Sequence, residues 1–534
     1  MNKTTKNIGL LLLGFLFFIN LLQAQEGCFN IGHINDNSTG NSIIKTDDGG
    51  FFITGYTSDP ELSDSATDLY CVRLDDEGKL IWARSVGGES WDYGFSGIQT
   101  SDGGFLAVGA TQSYGTFVHD VYVVRFNADG DILWTQVIDG AGDDRNDRAH
   151  SVVETYDGGF AIAGYSYVEG GWYQNAWVIK LDNSGNIVWT RMVGGNLGDV
   201  AEDIIETNDQ GLLVVGGTAS YGPGRSSVYV FKLDESGDLL WTRTIGGEKD
   251  DYAYGVAETP DGDFVVVGLT HSYGAGLAGD LDASDAYIIK FNAEGDSLWT
   301  RTVGGFNYER LDDVIITSDG YILAAGETMT FGGSNMDAYV IKMDMQGDVL
   351  WTCALGSNGV HMAFSLVEVE PEKYIVTGRT HHSSYSRDIF VAWFDDECIS
   401  CCKVGSGGEI NSGGVLGTGG AAGLGGESLG SGGEIDAFFY LDTLCLNTTT
   451  AAYMHELQSL LKVTPNPTDD ILYIEFPDYK NAKAVIFDSE GKVVKSFYLQ
   501  GMITQTSIGH LAGGFYIVKI ITNNGIASRK IIKR

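Results

Sequence analysis

The sequence predicts an all-β protein: a seven-bladed β-propeller, then a glycine-rich linker and a small C-terminal β-sandwich. Three observations carry that expectation. One pattern recurs seven times, in its fullest form Asp-Gly-Gly, an aromatic, a short apolar run and Gly-x-Thr, with its anchor at Phe51, Phe105, Phe160, Leu212, Phe264, Tyr321 and Tyr374. A period of 52 to 57 residues belongs to radial or stacked repeats. Tryptophan returns in six of the seven copies, at Trp82, Trp134, Trp189, Trp241, Trp299 and Trp351, and no segment carries the 3.6-residue periodicity of an amphipathic helix.

The third copy, from Thr155 to Gly195, shows the elements in order. Its segments FAIAG, WVIKL and IVWTRMV are short, rich in β-branched and aromatic residues, and bounded by Gly, Asp or Asn, as strands are. Asp-Gly-Gly at Asp48, Asp102 and Asp157 reads as a hairpin turn, and Asp182 to Asn186 as a second hairpin with glycine at the position needing positive φ. About four antiparallel strands in roughly 50 residues make a propeller blade. The tryptophan is expected to wedge between neighbouring blades, contributing about 4 to 6 kcal/mol for about 200 Å² buried at about 25 cal/mol per Å². Glycine at Gly55, Gly109, Gly164, Gly216, Gly268, Gly326 and Gly378, inside each second strand, marks close approach by a neighbouring element.

The seventh copy stops at DIFVAWFDDE (Asp388 to Glu397) without its tryptophan strand, whereas a lone β-like stretch, Cys28 to His33, precedes the first copy. That stretch is expected to supply the missing outer strand and close the ring, removing exposed sheet edges. The propeller is thus assigned to residues 25–397.

Residues 1–24 combine Lys3 and Lys6, an apolar core from Ile8 to Leu22 and a small residue at the cut site, the pattern of a signal peptide too short for a membrane span. No later apolar run approaches 18 residues, so no transmembrane segment is expected. Net charge is −38, yet residues 461–534 hold 10 Lys+Arg against 6 Asp+Glu, which concentrates the acidity in the repeat region. Such a surface repels nucleic acid and anionic lipid and also serves solubility. Cys71 stands where other copies place Val and is expected to be a buried thiol. Cys28, Cys398, Cys401, Cys402 and Cys445 flank the closure, where a disulfide would staple the chain ends, and zinc at C-x-x-C-C is the weaker alternative. Residues 398–460 form the Cys- and Gly-rich linker, and the tract from Gly405 to Gly433 reads as a flexible tether.

From Val463 the strands VTPNPTDDILYIEF, AKAVIFDSEGKVVKSF and LAGGFYIVKI, with a basic SRKIIKR end, read as a compact β-sandwich over 461–534. The start Pro465, Asn466 and Pro467, the DSEGK hairpin, Gly513, Gly514 and Tyr516, and the terminal Lys533 and Arg534 resemble the type A C-terminal sorting domain of the type IX secretion system of Bacteroidota. The resemblance implies export by signal peptide, recognition by the outer-membrane translocon, and an extracellular or surface-attached product. The repeat half resembles the DGGY…G-x-T…G-x-x-x-W proteins that accompany such domains, which adds fold more than function.

Catalytic motifs are absent: no G-x-S-x-G, H-E-x-x-H or phosphate loop occurs, so catalytic residues stay unknown and no metal ligands are assigned. The loops Asp182 to Asn186, Asp234 to Asp238 and Asp344 to Asp348 lack the distal glutamate of calcium loops; no cofactor is expected, with calcium the one candidate. LDNSGNIVW is similar to the docking repeat of pyrroloquinoline-quinone propellers but lacks its threonine. Recurring aromatics at Tyr114, Tyr167, Tyr221, Tyr273, Phe331 and Tyr385 read as packing. Loops joining successive copies vary, and variation on one face of a repeat is how a site is built. Trp91, Asp92, Tyr93, Trp172, Tyr173, Asp250, Asp251, Tyr252 and Tyr308 are therefore the ligand-binding candidates. The expected function is a secreted or surface binding module for a glycan or protein. The alternatives are a polysaccharide hydrolase or lyase on the same scaffold and, more remotely, a quinoprotein.

Overall fold

The computed structural model describes residues 28–31, 37–58, 66–116, 118–140, 145–167, 171–274, 283–332, 336–356, 359–383, 386–398, short strands between 403 and 442, and 461–464, 470–476, 482–487, 493–522 and 525–533. The signal-peptide assignment, Tyr385, Cys401, Cys402, Cys445, Pro465 to Pro467 and Arg534 lie outside these residues. Among the described residues all regular structure is β, and no helix is long and apolar enough to cross a membrane.

The repeats form four-stranded antiparallel sheets in a propeller-like succession, seven among the described residues. The first is Thr39–Lys45, Phe51–Thr57, Asp68–Leu74 and Leu80–Gly87. The strands that open the next six sheets are Asp92–Gln99, Arg148–Glu154, Asp199–Glu206, Asp251–Glu258, Glu309–Ile316 and Val360–Glu370. Middle strands such as Phe105–Thr111 and Asp120–Phe126 are buried at every residue. Neighbouring sheets cover both their faces, so they show no polar–apolar alternation. Apolar clusters join each sheet to the next: Phe52, Trp82, Phe105 and Tyr122 between the first two, and Ile43, Phe51, Ile375, Ile389 and Val391 between the last and the first. The succession therefore closes on itself. The outer strand of the seventh sheet is Cys28–Ile31, paired from Cys28 opposite Ala392 to Ile31 opposite Ile389, which is the strand expected from the orphan stretch.

The tryptophans pack between sheets as the spacing implies. Five rest on the glycine that follows an Asp or Asn by three in the next sheet's second hairpin turn, Trp82 on Gly130, Trp134 on Gly185, Trp189 on Gly237, Trp241 on Gly295 and Trp299 on Gly347. Only Trp82 is fully buried. At Trp82, Trp189, Trp241 and Trp299 an arginine two residues on lies over the indole, Arg191 over Trp189 and Arg243 over Trp241 at 5.2 Å, and donates to the carbonyl of that same glycine. The sixth anchor shifts by one residue. Ile322 pairs opposite Ile316 as Phe105 does opposite Gln99, and Tyr321 closes the turn by accepting from Thr317 N.

The glycine tract departs from the expected tether. Lys403–Gly405, Glu409–Asn411, Val415–Gly417, Ala421–Gly423, Glu427–Gly430, Glu434–Asp436 and Leu441–Asp442 add a fifth strand to sheets six, five, four, three, two, one and seven in turn. These strands pair through the backbone, for example Gly417 opposite Thr244 and Gly423 opposite Met192. A tract without core-forming side chains can still satisfy an exposed edge through its N–H and C=O groups. A six-residue recurrence of three strand residues and a Gly-containing connection is the signal in the sequence.

Cys71 is a buried free thiol whose pKa burial pushes far up. Among the described residues a disulfide joins Cys353 to Cys398, so it ties sheet six to the turn ending sheet seven. The described residues between 461 and 533 form two further sheets around one core that includes Leu472, Ile474, Ile486, Val518 and Ile520.

Candidate functional site

Glycine in Gly-x-Thr exists because the innermost strand bulges beside it. A Cβ on Gly164 would collide with the carbonyl of Arg148, and the same relation holds between Gly216 and Val200 and between Gly268 and Tyr252. Each innermost strand bulges at the same register, leaving Asn41, Phe95, His150, Glu202, Tyr254, Asp312 and Phe364 outside the ladder. A bulge re-aims the extra residue's side chain. All seven are half-buried, and on the innermost strands of a closed ring they face its axis.

Contacts run between these residues and around the ring. Asn41 Nδ2 donates to Gly94 O at 2.7 Å. The His150 ring lies edge-on to Phe95 at 5.6 Å and to Tyr165 at 5.5 Å. Its Nδ1 stands 2.7 Å from Glu202 Oε2, an ion-pair distance, although out of line for a hydrogen bond. Arg310 is held by Asp312 at 2.6 Å and Glu327 at 3.5 Å, with its guanidinium 4.8 Å from the Tyr254 ring centre. Burial pushes the Asp312 carboxyl up, Glu327 adding to the effect and Arg310 opposing it.

The next residue along the strands staples sheet to sheet. Asp203 accepts from Ser151 Oγ at 2.7 Å and Val256 N at 3.0 Å, Asp313 from Leu366 N at 2.8 Å, and Ser365 from Ile43 N at 3.2 Å. Burial raises the Asp313 carboxyl to about 6, with Asp203 contributing. Rigid strands therefore hold a ring of unlike side chains, aromatic, cationic and anionic, in fixed positions.

The loop candidates divide. Trp172 is 85% exposed and Tyr173 and Trp91 are also exposed; Trp91 stacks on His119 and Arg145 lies over Trp172. Tyr93 packs on Tyr56, Phe95 and His119, which joins it to the axial ring. Tyr252 donates to Ser226 Oγ, and Asp250 pairs with Arg225. Tyr308 lies near Arg310, and burial pushes its phenol up to about 12. Asp92 and Asp251 are corrected: both are fully buried and accept from Ser113 and Ser272 hydroxyls and from Gly88 N and Gly247 N, so they brace loops. The recurring Tyr114, Tyr221 and Tyr273 hydroxyls donate to Gly87, Gly194 and Gly246 carbonyls, a packing role. In the five-residue loops, Asp182, Asp234 and Asp344 accept from the backbone N–H groups two and four residues on, as hairpin turns do. In the C-terminal sheets Tyr516 is buried and donates to Ala512 O, while Gly514 pairs with Lys533; Gly513 is exposed.

Sequence reasoning missed the axial seven. Their signal was a varying residue that follows Gly40, Gly94, Ala149, Ala201, Ala253, Leu311 and Ala363 in the strand before each Gly-x-Thr strand, a position concealed because the bulge is a pairing feature rather than a motif.

Comparison with known proteins places residues 462–534 in the secretion system C-terminal sorting domain family. Over 112 residues the chain is 25% identical to the regulatory protein FlaEY of Caulobacter vibrioides, a match covering 20% of this chain and 12% of that protein's length. A Dyadobacter fermentans protein of unknown function aligns at TM-score 0.41 and 12% identity, covering 69% of this chain and 97% of that one. The Penicillium chrysogenum α-L-arabinanase bound to arabinobiose aligns at TM-score 0.37 and 10% identity, covering 56% and 92%. Likenesses of this degree say nothing of what the chain binds.

Proposed function

We propose, from a chain whose residues 462–534 are a type IX secretion sorting domain, that the repeat region is a seven-bladed propeller displaying one extracellular binding site at its axis. The sorting domain directs export to the cell surface or extracellular space. The ligand is a glycan or a protein segment. One observation carries this reading: seven innermost strands repeat the same bulge while the residue it presents differs in chemistry, Asn41, Phe95, His150, Glu202, Tyr254, Asp312 and Phe364. Aromatic faces beside fixed charges suit stacking on sugar rings or gripping a side chain.

Binding to an immobilised panel of bacterial and host glycans and surface proteins tests it. Tyr254→Ala and Glu202→Gln should each weaken the selected ligand about tenfold or more while melting like the parent. Unchanged affinity in both would move the site off the axis. A second reading, a hydrolase or lyase, is favoured by the His150–Glu202 contact and the raised Asp312 carboxyl. Product release from the panel, abolished by Glu202→Gln, would select it.

A further inference from the structure

Where sheets two and three meet, one residue breaks the repeat. The outer strands Leu80–Gly87, Ile187–Gly194, Leu239–Gly246 and Ser297–Gly304 end on glycine, but Ile132–Asp139 ends on aspartate. The glycines sit against acids. A Cβ at Gly304 would lie 2.5 Å from Asp285 Oδ1 and 2.9 Å from Glu309 Oε2, and one at Gly246 2.6 Å from Asp251 Oδ2. These acids come from the start of the sheet's own third strand and from the residue that opens the next sheet. In sheet two the equivalents are Asp120 and Asp147, and Asp139 adds a third carboxylate where the other copies have no side chain.

All three aspartates are buried, with ligand-capable atoms within 4.8 Å of one another. Asp147 supplies an independent observation. It is 1% exposed, its Oδ2 accepts from Gly140 N at 2.5 Å, and its Oδ1 is buried with no hydrogen-bond partner. Asp120 is oriented by Thr116, whose N donates to Oδ2 at 2.7 Å and whose hydroxyl donates to Oδ1 at 3.0 Å. Burial, with Asp139 and Asp120, pushes the Asp147 carboxyl up to about 8 against the hydrogen bonds from Gly140 N and Ser166. Buried like charges with an orphaned acceptor are costly unless something neutralises them.

We propose that Asp120, Asp139 and Asp147 bind a calcium ion between sheets two and three. The donors are oxygen only, which suits a hard cation over zinc. Calcium takes several protein oxygens in flexible geometry, whereas magnesium demands near-ideal octahedral coordination and keeps several waters, so three converging buried carboxylates suit calcium. The ion ties the end of one sheet to the entry of the next, so it acts on stability of the ring and is independent of the axial ligand.

The test is calorimetric titration of the EGTA-treated full chain with CaCl₂ and with MgCl₂, alongside Asp139→Gly, which restores the residue of the other copies. The parent should bind one more calcium per chain than the variant and prefer calcium to magnesium at least tenfold at that site. In EGTA, Asp139→Gly should melt at or above the parent, because a repelling charge is gone; in 1 mM CaCl₂ the order should reverse by several degrees. Asp139→Asn, closer in shape, serves if the glycine variant does not fold. Identical calcium isotherms and melts for parent and variant would overturn the proposal and leave a shared proton as what neutralises the cluster.

Discussion

Gly130 lies against the indole of Trp82: a Cβ at position 130 would fall 2.8 Å from Trp82 Cδ2, and the glycine's φ is +79°. Two demands, a left-handed turn and a flat surface for the neighbouring tryptophan, thus meet at one residue. Gly103 shares only the first, with φ +84° and open space around its Cβ position.

Gly130→Ala should therefore cost about 2 to 4 kcal/mol, and Gly103→Ala about 1 kcal/mol, in urea unfolding. Equal losses would mean that the turn geometry alone matters and that the tryptophan yields easily.

The Cys353–Cys398 disulfide spans 45 residues. Its removal in Cys353→Ser should lower stability by about 2 to 4 kcal/mol. Dithiothreitol should reproduce that loss in the parent and add nothing in the variant; a parent insensitive to reduction would show that the bond is not made in the exported protein.

Asp313 has a folded-state pKa near 6, above its unfolded value of about 3.9. The native state holds this proton more tightly, so the favourable contribution is complete below about pH 4 and is lost as pH rises toward 6 to 7. Asp313→Asn should gain on the parent across that window, by about 2 to 3 kcal/mol at pH 7. A stability difference that is flat from pH 4 to 7 would show the carboxylate to be well solvated.

Trp172 is exposed in a loop joining the second and third strands of sheet three. Trp172→Ala should change stability by less than about 0.5 kcal/mol. If the ligand extends from the axis over this loop, affinity falls by about 1 to 3 kcal/mol; unchanged affinity confines the ligand to the axial ring.

The period, the tryptophans and the Gly-x-Thr glycines were legible in the sequence because each is a local steric demand that recurs from copy to copy, and the missing seventh outer strand because it interrupts that recurrence. The sorting module was legible for the same reason, its turns and strands following one another in order. Three features depended on the tertiary structure. Asp92 and Asp251 look like exposed loop acids until pairing with the second strand of their own sheets brings Ser113 and Ser272, and the preceding turn brings Gly88 N and Gly247 N, onto them. The glycine tract looks structureless until seven outer edges offer it backbone partners. Asn41, Phe95, His150, Glu202, Tyr254, Asp312 and Phe364, some 50 residues apart in the chain, become one ring only when the last sheet packs on the first. Sequence encodes what a segment needs from its own backbone and size; ring closure decides which distant side chains share a space, because that depends on pairing and packing between copies.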